Sequence, residues 1–293
     1  MTPGIASGYV TIIGRPNVGK STFLNRVLGT KLSITTAKPQ TTRDRILGIW
    51  NDTDAQIVFL DTPGIHVSDK ALNRYMLGKA VSTISDADLA LVMADHLDTA
   101  DTLSEVVKFV AKAKRKAFLV LNKADLMSEH TTAERLEEMG QVYGFAYRCG
   151  ISSTLGTGID VLMARIKKIL PEGPRYFPED MITDASLRFL CKELIREKVF
   201  TLMHKEVPYA VAVEIEEFRE EQPVYIRAVI HVERESQKGI LIGSGGGKLK
   251  EIGTQARLDI EELVGSKIFL ELFVRVTRDW SKDFRSLREL GYR

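Results

Sequence analysis

Short apolar runs alternate with stretches of helical period through the first half of the chain. The runs are four to seven residues long, the length of buried strands, and lie at 9–13, 56–60, 87–93 and 118–121. Patterns of helical period occur between and after them, as at 22–28 and 159–170. Strands that alternate with helices form a mostly parallel sheet with helices on both faces. The pattern therefore predicts an α/β domain over residues 1–172.

The second half has a different order of elements, and a segment with three prolines at 171–180 precedes it. That segment has no period, which is typical of a linker, and we place the linker at 173–184. Residues 185–293 then show a helical pattern, two alternating stretches typical of a hairpin, a glycine-rich loop between helical segments and a last strand. The helix is expected at 185–202 and the strands at 209–215, 224–232 and 267–276. The order predicts a second, α+β domain.

Composition narrows the class of protein without indicating a partner. Of 293 residues, 44% are hydrophobic and 27% charged, the balance of a globular protein with a real core. The net charge is only +2, so any nucleic-acid surface must be local. Two cysteines, Cys149 and Cys191, provide no disulfide framework and no metal-ligand spacing. No apolar run approaches the length of a membrane span, and we expect a cytosolic protein.

One glycine-bounded stretch, Gly14–Ser21, follows the first apolar run and reads G-x-x-x-x-G-K-S. Strand, loop and helix in that order are the context of a phosphate-binding loop. Glycine lacks a Cβ, so the backbone can curl around a phosphate with its N–H groups inward, at the positive end of the helix. Lys20 is expected to reach the β- and γ-phosphates and Ser21 to bind Mg²⁺. The expected nucleotide contacts are Gly14, Arg15, Pro16, Asn17, Val18, Gly19, Lys20, Ser21 and Thr22.

A second nucleotide contact is expected where the next apolar run ends, at Asp61. The carboxyl ends of parallel strands are where α/β proteins bind ligands. There Asp61 is expected to hold Mg²⁺ through water and Gly64 to turn its N–H onto the γ-phosphate. The polar, threonine-rich stretch 33–45 predicts a loop that a nucleotide orders. The expected contacts at the strand end are Asp61, Thr62, Pro63, Gly64 and Ile65.

Base selection is expected at Asn122-Lys123-Ala124-Asp125, after the fourth apolar run. The Asp125 carboxylate can accept two hydrogen bonds from guanine, whereas adenine offers no such pair of donors and would leave a buried carboxylate unpaired. Asn122 is expected to steady the loop and the base edge, and the Lys123 stem to lie over the ring. Ser152 and Ser153, expected after one more strand, would support the base with their main chain. The nucleotide is therefore predicted to be a guanine nucleotide.

Four glycines in five positions, between two apolar helical segments, mark residues 243–247 of the second domain. Glycine in a helical context costs about 1 kcal/mol per residue, which a loop approached closely by a ligand would explain. Such a loop is the GXXG clamp of KH modules, which holds about four nucleotides of single-stranded RNA. A flexible hinge is the alternative. The expected RNA contacts are Lys238, Ile242, Gly243, Ser244, Gly245, Gly246, Lys248 and Lys250.

Positive charge is concentrated near this loop rather than spread over the domain. From Pro174 onward there are 20 Lys and Arg against 21 Asp and Glu, whereas residues 227–257 hold six against three. A small basic patch suits a short single strand better than a duplex.

In the order of these motifs the chain resembles the Era family of bacterial GTPases over essentially its whole length. The resemblance rests on GRPNVGKST at 14–22, QTTR at 40–43, DTPGI at 61–65, NKAD at 122–125, QKGILIG at 237–243 and the ending from Asp279 to Tyr292. It implies a Ras-like domain followed by a type II KH domain. It also implies binding near the 3′ end of small-subunit 16S ribosomal RNA, maturation of the 30S subunit, loose inner-membrane association and a monomer.

The resemblance also implies roles for single residues. Thr42, which precedes Arg43 as in the family pattern, is favoured over Thr41 as a Mg²⁺ ligand, although the residues alone do not decide between them. Lys20, Thr42 and Gly64 are expected to be catalytic. Asn17 would help to hold K⁺, as in GTPases that share Pro-Asn-Val-Gly-Lys; its alternative role is to cap the next helix.

Two positions depart from the usual pattern. Ser244 stands where the family places Lys or Arg, and Lys248 is expected to supply that charge from the next helical turn. Ile65 stands where many GTPases have a glutamine that orients water, and an aliphatic side chain cannot do this. Slow intrinsic hydrolysis is therefore expected.

Two other functions fit the same motifs. In the first, the chain is an RNA-binding module or chaperone gated by the nucleotide, with hydrolysis only as a reset. In the second, the C-terminal domain of the GTPase binds a protein instead of RNA.

Overall fold

The structure is a computed structural model that describes residues 4–36, 38–65 and 70–292. By their contacts the residues divide into two compact units. The first comprises Met1–Val67 with Met76–Asp184, and the second comprises Ser68–Tyr75 with Ala185–Arg293.

Apart from the consecutive pair β2–β3, the elements up to residue 173 alternate between strands and helices, as the hydrophobic pattern predicts. In chain order they are β1 Ile5–Gly14, α1 Lys20–Leu28, β2 Ile46–Asn51, β3 Ala55–Asp61, α2 Ala71–Asp86, β4 Leu89–Ala94, α3 Ala100–Ala113, β5 Lys116–Leu121, α4 Glu129–Gly140, β6 Tyr147–Gly150, α5 Ile159–Ile169 and β7 Glu172–Gly173.

The first sheet has the strand order β2-β3-β1-β4-β5-β6, and β7 pairs with β1. The pairs β1–β3, β1–β4, β4–β5 and β5–β6 are parallel, whereas β2 and β7 run antiparallel to their partners. The expected mostly parallel α/β sheet is confirmed. Because β1, β3, β4 and β5 all end at one edge, the loops after Gly14, Asp61, Ala94 and Leu121 lie together there.

Helix α3 shows why these segments fold as they do. Thr99 and Thr102 form a reciprocal capping box at its start, which satisfies two backbone donors. Its buried residues recur at helical spacing and face the sheet, where strand β4 is buried along its whole length. These residues are Leu103, Val106, Val107 and Val110.

The predicted linker is held on the edge of the first sheet. The Gln56 side chain accepts the N–H groups of Tyr176 at 2.6 Å and Phe177 at 3.0 Å, and it donates to the Phe177 carbonyl at 2.9 Å. The N–H of Ile49 in β2 donates to the Ile182 carbonyl at 2.7 Å. The segment therefore completes hydrogen bonds that an edge strand would otherwise leave open.

The second unit contains the order expected for an α+β domain. Its elements are α6 Leu187–Leu202, β8 Ala212–Arg219, β9 Val224–Val232, α7 Glu235–Ile242, α8 Gly247–Val264, β10 Ile268–Val276 and α9 Phe284–Glu289. The sheet has the order β10-β9-β8, with β9 and β10 parallel and β8 antiparallel. One continuous core joins α6, α7 and α8 to the sheet.

Several predicted boundaries were wrong. Residues 209–215 were predicted as a strand, but Val207–Ala210 forms a 3₁₀ turn and β8 extends to Arg219, because Glu217 and Arg219 pair with β9 despite their charge. Strand β2 was not predicted, since Gly48 interrupts its apolar run. A Cβ at Gly48 would lie 2.6 Å from Leu28 Cδ1, so α1 packs closely against this glycine.

No helix in the described part of the chain has both the length and the apolar character required to cross a membrane.

Candidate nucleotide and RNA sites

The loop between β1 and α1 adopts the conformation that a phosphate-binding loop requires. Gly19, the residue before α1, has a φ of 98°, and Asn17 has a φ of 67°. A Cβ at Gly19 would lie 2.1 Å from Asn122 Nδ2, so only glycine fits. Gly19 is the N-cap residue of α1, so Asn17 lies two residues before the cap position. The loop borders a cavity of about 670 Å³.

Lys20 is almost completely buried at the base of this cavity. Its Nζ donates to the carbonyls of Gly14 at 3.2 Å and Arg15 at 2.9 Å. Burial lowers the pKa of Lys20 to about 8, while the carboxylates of Asp61 and Asp98 oppose that shift. An ammonium held by loop carbonyls beneath the cavity is placed to meet an anion.

The three predicted Mg²⁺ ligands come together beside Lys20. Ser21 Oγ lies 2.9 Å from Thr42 Oγ1 and donates to Asp61 Oδ2 at 2.8 Å. Thr42, and not Thr41, is the threonine in this cluster. Adjacent ligands of an octahedral ion with bonds of 2.0–2.1 Å are about 2.9 Å apart, so the spacing fits Mg²⁺. Asp61 Oδ1 is buried with no hydrogen-bond partner among the described residues, which also fits an absent cation.

The electrostatics of Asp61 agree with that interpretation. The side chain is fully buried, and burial raises the pKa of its carboxyl, while Lys20 and the hydrogen bond from Ser21 act in the opposite direction. A cation at this position would relieve the cost of burying the charge.

The stretch after β3 packs directly against the phosphate loop. A Cβ on Gly64 would lie 2.7 Å from Pro16 N, and Thr62 Oγ1 donates to the Ile12 carbonyl at 2.8 Å. Ile65 was predicted as a nucleotide contact, but its side chain is buried in the core and its N–H donates to the Gly14 carbonyl at 3.0 Å. Neither group of Ile65 is directed into the cavity.

Asn122 connects three loops from a buried position. Its Nδ2 donates to the Val18 carbonyl at 2.8 Å, and its Oδ1 accepts from Ser153 N at 3.0 Å and Ser153 Oγ at 2.9 Å. Ser152 is also buried and accepts from Leu155 N at 3.1 Å. Asn122 therefore steadies the loops, as expected, through both its Nδ2 and its Oδ1.

Of the two predicted base-reading residues Lys123 and Asp125, only Lys123 lines the cavity. Lys123 has a φ of 59° and lines the cavity, and its Nζ lies 2.5 Å from Asp95 Oδ2. Asp125 lies exposed on the 3₁₀ turn Ala124–Leu126. The predicted contacts that line the cavity are Arg15, Pro16, Asn17, Val18, Gly19, Lys20, Ser21, Thr22, Thr42, Gly64 and Lys123.

Other cavity residues were missed. Asp95 directly follows β4, at the same sheet edge as Asp61, and that position was the available signal. The missed lining residues are Asp95, Leu97 and Asp98. The other additional lining residues belong to the stretch 33–45, which was predicted to be a loop that a nucleotide orders; they are Ile34, Thr35, Thr36, Gln40 and Thr41.

In the second unit the glycine-rich loop forms a tight turn between α7 and α8. Gly243, Gly245 and Gly246 have φ values of 73°, 57° and 78°. A Cβ on Gly243 would lie 2.7 Å from Lys248 Cβ, whereas the Cβ directions of Gly245 and Gly246 are open. The loop therefore offers an accessible backbone surface, as a phosphate clamp requires.

The cations near the loop differ in their environments. Lys248 Nζ is 2.8 Å from Glu251 Oε2, so part of its expected charge is neutralised locally. Lys250 lines a groove that continues from the loop, whereas Lys238 lines a separate depression with Arg227 and Arg275. The groove residues are Gly246, Leu249, Lys250, Gly253, Thr254, Arg257, Leu270 and Leu272.

Comparison with known proteins agrees with both sites. Residues 9–123 match the family model of the 50S ribosome-binding GTPase, and residues 206–281 match that of the KH domain. GTPase Era of Geobacter metallireducens is 51% identical over 290 residues, covering 98% of this chain and 97% of the relative. GTPase Era of Syntrophus aciditrophicus is 48% identical over 290 residues, covering 98% and 95%.

Two solved structures superpose along the whole chain. A crystal structure of Era in complex with MgGDPNP and nucleotides 1506–1542 of 16S ribosomal RNA has a TM-score of 0.95 at 39% identity, covering 98% of this chain and 99% of that one. A variant of Aquifex aeolicus Era bound to GDP·AlF4⁻ has a TM-score of 0.94 at 38% identity, with the same coverage. The chain belongs to the Era family of GTPases.

Proposed function

We propose that this protein binds and hydrolyses GTP in its first unit, binds single-stranded RNA near the 3′ end of 16S ribosomal RNA with its second, and acts in maturation of the 30S subunit. The observation that carries the proposal is the convergence of Lys20, Ser21, Thr42 and Asp61 at one end of the cavity. Solved Era structures with guanine nucleotides and with 16S rRNA support it.

In the proposed site, the N–H groups of the phosphate loop and Lys20 bind the β- and γ-phosphates. Ser21 and Thr42 supply hydroxyl ligands for Mg²⁺, and Asp61 holds the ion through water. When bound, Mg²⁺ neutralises charge that develops on the phosphates during phosphoryl transfer. Gly64 is assigned to bind the γ-phosphate through its N–H, and its backbone lies so close to Pro16 that a Cβ would not fit.

Hydrolysis in this site is slow without an activator. The position after Gly64 is Ile65, whose side chain is committed to the core, so it cannot orient water. We assign Asn17, exposed in the phosphate loop, to a K⁺ site that would stabilise charge in the transition state.

Guanine specificity is assigned to Asp125, with Lys123 covering the ring and the main chain at Ser152 and Ser153 supporting the base. Exposure of Asp125 on its turn leaves the carboxylate available for two donors of guanine.

RNA is proposed to lie on the turn Gly243–Gly246 and in the groove beside α8. The positive φ values and open Cβ directions of Gly245 and Gly246 let a sugar-phosphate backbone approach. Lys250 and Arg257 supply positive charge along the groove. Ile242, the last residue of α7 before the turn, is assigned as an apolar contact. Lys238, on its separate face, is assigned only to long-range attraction.

The proposed domains are 1–172 for the GTPase and 185–293 for the KH module, joined by 173–184. We place the protein in the cytoplasm as a monomer, with loose peripheral association with the inner membrane.

Exchange of Asp125 for Asn tests the nucleotide assignment. The change converts one acceptor into a donor that faces guanine N–H groups, so GTP affinity should fall and affinity for xanthosine triphosphate should rise. Competition binding with a fluorescent nucleotide measures both constants. Equal weakening of both nucleotides would remove Asp125 from base reading.

The rate of multiple-turnover GTP hydrolysis with and without a 16S 3′-end RNA tests the alternative function. It distinguishes an RNA-stimulated GTPase from an RNA-binding module in which hydrolysis only resets the nucleotide state.

A further inference from the structure

Two acidic residues of the turn after β4 have no role in the function proposed above. Asp95 and Asp98 are both buried, 5% and 3% exposed, yet both line the nucleotide cavity. The turn lies between the phosphate loop and the base-reading loop in the strand order, because β4 is between β1 and β5.

Asp98 contacts the phosphate loop. Its Oδ1 accepts from Arg15 Nη1 at 2.8 Å and from Thr102 Oγ1 at 3.3 Å. Arg15 is itself a loop residue, and its carbonyl accepts from Lys20 Nζ. Because Asp98 is buried, its ion pair with Arg15 is less screened by solvent than a surface pair.

Asp95 contacts the base-reading loop. Its Oδ2 lies 2.5 Å from Lys123 Nζ, and its Oδ1 accepts from Leu97 N at 2.9 Å. Lys123 has a positive φ, a conformation that non-glycine residues keep only when surrounding contacts hold it. A carboxylate fixed by its own turn is such a contact.

The two residues are also joined by a hydrogen bond between the Asp95 main chain and the Asp98 carboxylate. Asp98 Oδ2 accepts from Asp95 N at 3.0 Å. A continuous series of hydrogen bonds therefore runs from Arg15 through Asp98 and Asp95 to Lys123. We refer to these four residues as the carboxylate bridge.

We propose that the carboxylate bridge holds the phosphate loop and the base-reading loop in register, with Asp95 as the positioning residue that places Lys123 for the guanine ring. The inference rests on the proposed nucleotide-binding function and goes beyond it by assigning roles to Asp95 and Asp98. A Lys123 already held in place loses less conformational freedom when the nucleotide binds, so the bridge increases affinity.

The substitution Asp95→Asn separates this role from folding of the turn. The amide oxygen of Asn can still accept from Leu97 N, whereas its NH₂ group would face the ammonium of Lys123 as a second donor. We expect the Kd for GDP to rise about tenfold, since hydrogen bonds to charged groups contribute more than neutral ones. In steady-state hydrolysis the loss should fall on KM for GTP more than on kcat.

The double variant Lys123→Ala, Asp95→Asn tests the proposed contact more directly than Asp95→Asn alone. In a Lys123→Ala background, Asp95→Asn should change the Kd for GDP less than twofold, because its partner is gone. The matched control is Arg148→Gln, which removes a cation that pairs with Glu137 at 3.2 Å and does not line the cavity. The control should leave the Kd for GDP unchanged.

Arg15→Gln tests the bridge from its other end, and it replaces Asp95→Asn as the test if that variant does not fold. We expect Arg15→Gln to weaken GDP binding as well. An unchanged Kd in folded Asp95→Asn, or an equal loss with and without Lys123, would overturn the bridge. Failure of the unmutated protein to bind GDP would instead contradict the proposed function, so the two failures are distinguishable.

Discussion

The loss of folding stability on removing the Asn122 side chain can be calculated directly from its contacts. The side chain is 2% exposed, and it makes three hydrogen bonds, to Val18 O, Ser153 N and Ser153 Oγ. The substitution Asn122→Ala removes all three at once. It leaves a carbonyl, an N–H and a hydroxyl in a buried place without those partners.

The expected cost follows from that count. A buried hydrogen bond contributes about 1 kcal/mol net, so Asn122→Ala should lower the free energy of unfolding of the first unit by about 3 kcal/mol. Ser153→Ala is the graded comparison. It removes only the Oγ bond and keeps the bond from Ser153 N, so it should cost about 1 kcal/mol. Because the two residues share a bond, the double variant should lose less than the sum of the single losses.

Urea unfolding without nucleotide can be followed at Trp50, which lies in β2 of the first unit. The chain has two tryptophans, so the variants are made in a Trp280→Phe background, which leaves Trp50 as the reporter. Equal m-values across the series would show that the same surface unfolds in each variant. A loss below about 1 kcal/mol for Asn122→Ala, or one equal to that of Ser153→Ala, would refute the reasoning from the three bonds.

Three further outcomes are expected. Gly64→Ala places a Cβ 2.7 Å from Pro16 N, which must displace the Gly64 N–H, so phosphate release should slow about a hundredfold, and an unchanged rate would exclude a role for that N–H. Gly246→Asp puts a negative charge on the RNA side and should weaken binding of a 16S 3′-end RNA more than about tenfold in a filter assay. Gly246→Asn, the uncharged match at the same φ of 78°, should lose less affinity. Equal losses for the two variants would show that backbone strain and not charge is responsible. Hydrolysis should be faster in KCl than in NaCl at equal ionic strength, and Asn17→Ala should abolish the difference, while equal rates for the unmutated protein would remove the K⁺ site.

Chemistry carried by contiguous residues was determined by the sequence alone. A phosphate loop needs Gly14, Gly19, Lys20 and Ser21 at set spacings between a strand and a helix, and all of that is local. The glycines at 243–246 likewise mark a turn that only residues without Cβ adopt readily, and their φ values agree. The parallel sheet followed from apolar runs, because burial on both faces makes such strands continuous in apolar residues.

Contacts between distant segments were decided by the tertiary structure. Asn122 turned out to be a buried connector to Val18 and Ser153, 104 and 31 residues away, and no local pattern encodes those partners. Asp95 and Asp98 lie beside the phosphate loop because the sheet order places β4 between β1 and β5. The hydrogen bonds of Gln56 with Tyr176 and Phe177 also depend on how distant segments pack. The same holds for the burial of Ile65 in the core. Sequence periodicity reports which face of an element is buried, whereas the partner of a buried polar group depends on which strands become neighbours.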